Sequence, residues 1–196
     1  MDVNFQEPKD REIVDRVKRG DPECFRILVE RHSSRVYSLG MKFFHNQEDA
    51  QDFTQEVFIK AFRGIGAFKK RSSFSTWLIK IAYNYGIDMI SAKRKQQKTS
   101  EFTGYEQPGD QYSKRDSGAL MRPEQEEEHK ELTGRLEQAL QKLPKRYALC
   151  IEFSFYFGFT YGAISDITGI PLNTVKSHIL RGKKILRKSL ENEDRR

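Results

Sequence analysis

The residues around position 170 carry a compact series of helix-ending and helix-starting features, and these constrain the fold more than any other part of the chain. Thr160 is a residue type that commonly caps the start of a helix. Gly169 can adopt the left-handed backbone conformation that ends a helix, and Pro171 cannot continue one. Asn173 can then cap a following helix. We therefore predict a helix-turn-helix unit over residues 160–188.

The second helix of this unit has an apolar side and a cationic side. Val175, Ile179 and Leu186 recur at steps of four and seven residues, which places them on one face. Between residues 176 and 190 there are six Lys or Arg and no acid. A basic helix after a tight turn favours entry into a DNA major groove over a solvated helix of a polar bundle. The side chains assigned to the face opposite the apolar one are Thr174, Ser177, His178, Arg181, Lys184 and Lys188.

Composition and charge argue against several classes of protein. The net charge of +7 favours an anionic partner. No apolar run approaches the length that spans a bilayer, and the N-terminus lacks the basic-then-apolar pattern of a secretory signal, so we expect no membrane insertion. Two cysteines are too few for a disulfide framework, which fits a reducing cytoplasm. The four histidines show no metal-ligand spacing, and the sequence has no phosphate loop or catalytic constellation. We therefore expect no enzyme, metal or cofactor.

The chain divides into two helical segments separated by a polar stretch, and we predict an all-α fold with two helical domains joined by a flexible linker. Residues 10–98 form the first domain, in which one helix has an apolar stripe wide enough to face a core. Residues 99–126 form the linker, because Gly, Ser, Pro and Asp abound there and no periodicity survives. Residues 127–190 form the second domain. The members of the apolar stripe are Ala50, Phe53, Val57, Phe58, Ala61 and Phe62.

One segment of the second domain fits two kinds of secondary structure. Residues 153–159 place Phe at every second position, which favours a strand. Leu149, Phe153 and Phe157 equally fit one face of a helix that ends at Gly158. Because a lone strand would have no pairing partner in an otherwise helical chain, we predict a helix here.

Residues 68–98 give a second indication of nucleic-acid binding. The segment holds eight Lys or Arg against a single acid, Asp88, and aromatic residues lie among the cations. Cations beside aromatic faces suit a single strand, because phosphates and unstacked bases can both be held. We expect Phe74 and Trp77 to be core residues. Phe68, which precedes a Lys-Lys-Arg run, fits either a core position or contact with a base.

Three stretches of the sequence together resemble the extracytoplasmic-function, or group 4, sigma factors of bacterial RNA polymerase. Residues 49–62, DAQDFTQEVFIKAF, resemble the polymerase-binding helix of region 2 in that family. Residues 68–84, which include FSTWL, resemble the part of region 2 that contacts the −10 element. Residues 143–190, which begin with LPKR, resemble region 4. The resemblance covers residues 10–97 and 127–190, and the order and spacing of the three stretches make it specific.

The resemblance implies a function and a set of residues for each domain. The chain would be a transcription initiation factor whose partners are core RNA polymerase, promoter DNA and an anti-sigma factor. Matching positions assign polymerase binding to Asp52, Gln55 and Glu56. They assign −10 recognition and strand opening, including a pocket for one unpaired base, to Gly64, Phe68, Lys69, Lys70, Arg71 and Asn84. They assign readout of the −35 duplex to Asn173, Thr174, Lys176, Ser177, His178, Arg181 and Lys184.

The second domain departs from the family pattern at three positions. Ala163 stands where an acid often closes a capping box, His178 stands where Arg is common, and Gly182 interrupts the recognition helix. A free-standing helix-turn-helix regulator that binds duplex DNA without polymerase is the alternative function. The basic and aromatic segment 68–98 argues against it, because a sensor domain does not need one. A site-specific recombinase would need a catalytic domain, and nothing in residues 1–98 suggests one.

Overall fold

The computed structural model describes residues 8–99, 139, 140 and 142–193 of the 196-residue chain. The chain divides into two compact units, one within residues 1–105 and the other within residues 106–196. Every regular element in the described residues is an α-helix or a 3-10 helix, which confirms the all-α prediction. None of these described helices is long and apolar enough to cross a bilayer. The predicted linker and the start of the second domain lie almost entirely outside the described residues.

The first unit is built from α-helices joined by short connections. Its described α-helices are α1 (Asp10–Lys18), α2 (Phe25–Phe44), α3 (Gln47–Gly64) and α4 (Phe74–Thr99). Short 3-10 helices cover Pro22–Cys24 and Ile65–Ala67. Residues 65–73, which join α3 to α4 and include the Lys-Lys-Arg run, are called the basic loop below.

A tight turn and a close approach hold α2 against α3. His45 adopts a left-handed backbone conformation with φ of 57°, and Asn46 then caps α3 by accepting a 2.7 Å hydrogen bond from the Asp49 amide. A Cβ atom at Gly40 would lie 2.8 Å from the ring of Phe53. The absence of a side chain at that position therefore lets the two helices pack closely.

The core of the first unit lies where its four described helices meet. Phe74 is buried there, which confirms its expected core position, and Trp77 is half-buried beside it. The fully buried side chains in this core include Ile13, Leu28, Val36, Phe53, Val57, Leu78 and Ile79.

The second unit contains α5 (Lys145–Phe155), α6 (Tyr161–Thr168) and α7 (Leu172–Glu193) among its described residues. The helix prediction for residues 153–159 is confirmed as far as Phe155. Beyond it the chain turns through Gly158, whose φ is 67°, and the ring of Phe159 returns to the edge of the Phe153 ring. The alternating aromatic residues therefore form the end of α5 and the turn after it, and their rings pack against one another.

Gly182 was expected to weaken the recognition helix, and the structure gives it a packing role instead. Gly182 is buried where α7 lies on α5. A Cβ atom there would lie 2.9 Å from Cγ1 of Ile151, which is tighter than side-chain packing allows without a shift. The lower helix propensity of glycine is therefore offset by the close contact that it permits between two helices.

Candidate nucleic-acid interfaces

The turn between α6 and α7 is held by its own side chains. Thr160 caps α6 as predicted, because its Oγ1 accepts a 3.2 Å hydrogen bond from the Ala163 amide. Gly169 ends α6 with a φ of 74°, as expected for a left-handed C-terminal residue. The hydroxyl of Ser165 then donates a 2.6 Å hydrogen bond to the carbonyl of Ile170. These bonds fix the position from which α7 starts.

The prediction that Asn173 caps α7 is wrong, because a helix with that cap would begin at Thr174 and α7 begins two residues earlier, at Leu172. The amides of Thr174 and Val175 donate to the carbonyl of Pro171, at 2.8 and 3.0 Å. Proline therefore occupies the position before the helix, where its missing amide proton leaves no unsatisfied donor. Asn173 lies in the first turn of α7 with its side chain exposed.

The apolar and cationic faces of α7 lie largely as the sequence predicts. Val175, Ile179 and Leu186 are buried against the rest of the unit. Thr174 is half-buried, and the hydroxyl of Ser177 donates a 2.9 Å hydrogen bond to the carbonyl of Asn173. The exposed side chains predicted for the DNA-reading face are Asn173, Lys176, Ser177, Arg181 and Lys184, and the exposed Lys188 also lies on that side.

His178 does not belong to that exposed face, and its predicted position opposite the apolar stripe is wrong. Its ring is half-buried, lies 5.2 Å from the ring of Tyr147 and approaches Cys150, with 3.7 Å between Nδ1 and Sγ. The spacing explains this, because His178 follows Val175 by three residues and shares its side of the helix. Burial, supported by the charges of Arg146 and Arg181, lowers the pKa of His178.

Arg181 is exposed and influences Tyr147 of α5. Interaction with Arg181, followed by that with Arg146, lowers the pKa of the Tyr147 phenol. The guanidinium of Arg146 also lies 5.0 Å from the centre of the Tyr147 ring. Tyr147 thus connects the start of α5 with the exposed face of α7.

Leu180 of α7 is an exposed apolar residue that the helical periodicity did not assign to either face. Its side chain is 71% exposed and lies between Ser177 and Lys184, three residues after the first and four before the second. A large apolar residue outside the apolar periodicity of a helix is the pattern that could have identified it. An exposed apolar side chain on a helix in the major groove can contact the methyl group of thymine.

In the first unit, the aromatic residue of the basic loop points into the core. Phe68 is only 5% exposed, and its ring centre lies 4.9 Å from that of Trp77. Phe68 also meets the edge of Phe74, and a Cβ atom at Gly64 would lie 3.6 Å from the Trp77 ring. Of the two positions that the sequence left open for Phe68, the structure shows the core position. Asn84 is exposed on α4, seven residues after Trp77.

The three cations of the basic loop lie in different environments. Lys69 and Arg71 are exposed. Lys70 lies between them with a left-handed φ of 56°, and its ammonium forms an ion pair with Asp15 of α1. The hydrogen bond from the Lys70 ammonium in this ion pair lowers the pKa of the Asp15 carboxyl. A second residue of α1, Lys18, donates to carbonyl oxygens of the loop at 2.6 and 3.1 Å. No pattern in the sequence indicated this contact between α1 and the loop.

The residues predicted to bind polymerase lie along one side of α3. Asp52 and Gln55 are exposed, and Glu56 is half-buried and forms a 3.2 Å ion pair with Lys60. Asp52, Gln55, Ile59 and Phe62 lie three, four and three residues apart, so they share one helix face. We call these four residues and Glu56 the α3 surface.

Phe62 was expected in the core, and this prediction is wrong. Phe62 and Ile59 are each 43% exposed, although the Phe62 ring contacts Phe25 with 5.1 Å between ring centres. An open groove lies at this end of the helix and is lined by Phe25, Phe58, Ile59, Phe62 and Arg63. Phe62 therefore closes the core on one side and presents an apolar edge on the other.

Comparison with known protein families matches both units. Residues 28–97 match the Sigma-70 region 2 family, and residues 133–186 match Sigma-70 region 4. The RNA polymerase sigma-H factor of Pseudomonas aeruginosa is 31% identical over 186 residues, which cover 93% of this chain and 94% of that protein. The ECF RNA polymerase sigma factor SigW of Bacillus subtilis is 31% identical over 179 residues, which cover 91% of this chain and 95% of that protein. The chain belongs to the extracytoplasmic-function sigma factors.

Two solved structures have the same fold as this sigma factor. CnrH in complex with the cytosolic domain of CnrY matches with a TM-score of 0.62 at 19% identity, over 93% of this chain and 97% of that one. The sigma factor RpoE of Bartonella quintana, in complex with the anti-sigma factor NepR, matches with a TM-score of 0.60 at 18% identity, over 85% of this chain and 96% of that one.

The family matches place the candidate interfaces of this sigma factor in its two regions. Region 2 includes the α3 surface, the basic loop and Asn84, and region 4 includes α5, α6 and most of α7. Helix α1, with the two residues that bond to the basic loop, precedes the residues matched to region 2.

Proposed function

We propose that this sigma factor binds core RNA polymerase and directs it to a subset of promoters, acting in the cytoplasm and catalysing no reaction by itself. The observation that carries the proposal is the presence of region 2 and region 4 in one chain, in that order. A free-standing duplex-binding regulator would need only the second of these. Its net charge of +7 suits a protein that works on DNA.

The α3 surface is the proposed contact with core polymerase. Asp52, Gln55 and Glu56 offer hydrogen-bonding groups at the surface, although the carboxylate of Glu56 is shared with Lys60. Ile59 and Phe62 extend the same face with exposed apolar area. Apolar area at the centre with polar groups around it is the usual composition of a specific protein interface.

The basic loop and α4 form the proposed −10 site. Lys69 and Arg71 are exposed and suit the phosphates of a single strand, and Asn84 can hydrogen-bond the edge of an unpaired base. Phe68 lies beneath this site, where it packs on Trp77. We infer that Phe68 supports the pocket from below, close to Gly64, and that Lys70 contributes through its ion pair with Asp15.

The exposed face of α7 is the proposed −35 site. Arg181 is exposed on this face and suits a base edge in the major groove. Lys176 and Lys184 are better suited to phosphates. Leu180 adds an exposed apolar side chain to this face. His178, which packs on α5, supports the helix and does not read DNA.

An anti-sigma factor is the proposed regulatory partner. A basic factor with exposed polymerase-binding and DNA-binding surfaces would start unwanted transcription if left free. The exposed apolar edges of Ile59 and Phe62 give an inhibitor a surface to cover. Co-purification from cells that lack the inducing stimulus tests this, and recovery of polymerase alone would contradict it.

The test of the proposed function is binding of the full-length chain to core RNA polymerase by titration, followed by transcription from a library of randomised promoters. We expect the double variant Asp52→Ala/Gln55→Ala to lose core affinity and to retain the thermal stability of the wild type. The matched control is Arg26→Ala/Glu30→Ala, which removes an exposed ion pair from α2, outside the α3 surface. DNA binding by the wild-type chain without any binding to polymerase would support the free-standing regulator instead.

A further inference from the structure

We propose that Lys18 and Asp15 of α1 are positioning residues for promoter opening, and that they hold the basic loop in the shape that receives the unpaired strand. This inference rests on the proposed function of the loop as part of the −10 site. It assigns a role to a helix that precedes the residues matched to region 2.

Lys18 binds the backbone of the loop at two points. Its ammonium donates hydrogen bonds to the carbonyl oxygens of Phe68, at 2.6 Å, and Gly66, at 3.1 Å. Because the donor is charged, these bonds are stronger than those between neutral groups. They fix the peptide group between Gly66 and Ala67 and the one between Phe68 and the exposed Lys69. The backbone path into the cationic run is therefore set by a residue of another helix.

Asp15 binds the loop three residues earlier on α1, on the same side of the helix. Its carboxylate pairs with Lys70, and Lys70 has the left-handed backbone conformation that non-glycine residues rarely adopt. A residue keeps such a conformation when surrounding contacts determine it. The ion pair is one such contact, since it attaches the Lys70 side chain to α1.

The two contacts together determine which cations of the loop face outward. With Lys70 turned towards Asp15, its neighbours Lys69 and Arg71 are exposed. The loop presents Lys69 and Arg71 to solvent at a fixed spacing, while Lys70 is paired with Asp15. A loop that is ordered before binding loses less conformational entropy when it takes up a strand.

The first experiment measures the loop without polymerase or DNA. Hydrogen exchange of the full-length chain is compared for wild type, Lys18→Met and Lys9→Met, an exposed lysine at the other end of α1. We expect amide exchange in residues 66–71 to rise about tenfold in Lys18→Met and to stay unchanged in Lys9→Met, because one hydrogen bond to a charged group corresponds to about this factor. Lys18→Arg, which keeps the charged donor, should restore slow exchange.

The second experiment measures promoter opening by wild-type and variant holoenzymes. The probe is a promoter that the wild-type holoenzyme selects from a randomised duplex library, with permanganate reactivity for opening and a mobility shift at low temperature for initial binding. We expect about tenfold less opening by Lys18→Met, with initial binding within about twofold of the wild type. Asp15→Lys and Lys70→Asp should each reduce opening, and combining them should restore part of it, since Asp tolerates a left-handed backbone.

Two results would overturn this inference while leaving the proposed function intact. One is normal opening and normal loop exchange in Lys18→Met. The other is a loss of opening that accompanies an equal loss of initial binding and of thermal stability, which would make α1 a structural element of the whole unit. If instead the wild-type holoenzyme opens no promoter from the library, the proposed function itself fails.

Discussion

The two candidate DNA-binding surfaces of this sigma factor are built in different ways. On α7, the buried and exposed sides follow from the helical period, so residues three, four and seven positions apart decide which groups face outward. In the basic loop, the exposed groups depend on Lys18 and Asp15, which lie 50 and 55 positions before their partners Phe68 and Lys70. A surface on a helix is thus encoded locally, and a surface on a loop is encoded by distant residues.

The largest expected effect tests whether the loop is anchored through its aromatic residue. Phe68→Ala should lower the free energy of unfolding of the first unit by about 3–5 kcal/mol, because it removes a buried ring that packs on Trp77. Trp77 is the single tryptophan of the chain, so its fluorescence during urea unfolding reports on this unit.

Phe68→Leu is the control, since a substitution that nearly conserves volume should cost less than about 1.5 kcal/mol. If Phe68→Leu keeps its stability and yet fails to open promoters, the aromatic face itself contacts a base. In that case the loop must move to expose the ring, and the anchored description of the loop is wrong.

The next effect tests whether α7 separates base readout from phosphate contact. Arg181→Ala should cost about 1–3 kcal/mol on the selected −35 duplex and relax its sequence preference. Lys184→Ala should weaken all duplexes alike and flatten the salt dependence by about one counterion. Binding isotherms on selected and scrambled duplexes at several salt concentrations distinguish these results. Equal losses on both duplexes for Arg181→Ala would make Arg181 a phosphate contact.

A smaller effect tests the packing beneath α7. Gly182→Ala should lower the free energy of unfolding of the second unit by about 1–2 kcal/mol, because the crowding against Ile151 exceeds the gain in helix propensity. Gly162 is the matched control, since a Cβ atom there has only Thr160 Oγ1 nearby, at 4.0 Å. Gly162→Ala should raise stability by about 0.5–1 kcal/mol. Thermal unfolding followed by circular dichroism measures both, and stabilisation by Gly182→Ala would contradict the close approach of the two helices.

The smallest effect concerns the pH dependence of the second unit. Burial, followed by the charges of Arg146 and Arg181, lowers the pKa of His178 in the folded state. Below the unfolded-state pKa of about 6.5, the unfolded chain therefore binds more protons than the folded one. The stability that His178 contributes is complete above this pH and is lost as the pH falls from about 7 towards 5. Melting temperatures of wild type and His178→Gln across this range test it, and identical slopes would show that His178 titrates normally.

The same contrast explains how much of the molecule the sequence could predict. The helical fold, the Thr160 cap, the Gly169 stop and the buried Val175 and Ile179 follow from local patterns, and the structure confirms them. His178 is a polar residue, but its spacing of three residues from Val175 places it on the packed side of α7, so polarity alone predicts its position wrongly.

The remaining features could not be predicted because they depend on which helices meet. Phe62 continues an apolar stripe in the sequence, but the structure leaves it 43% exposed. Gly182 looked unfavourable for a helix until Ile151 was known to lie against it. The pairing of Lys70 with Asp15 has no periodic signature, and only the tertiary contact shows that one of three adjacent cations turns away from the surface.

The attachment of the basic loop to α1 limits where this chain can be cut to make a chimera. A chimera cut at residue 28, where the match to region 2 begins, would transplant the loop without the ammonium that binds Phe68 and Gly66 and without the carboxylate that binds Lys70. Such a hybrid could carry every residue of the promoter-facing surface and still display it incorrectly. A transplanted first unit should therefore include all of α1, from Asp10 onwards.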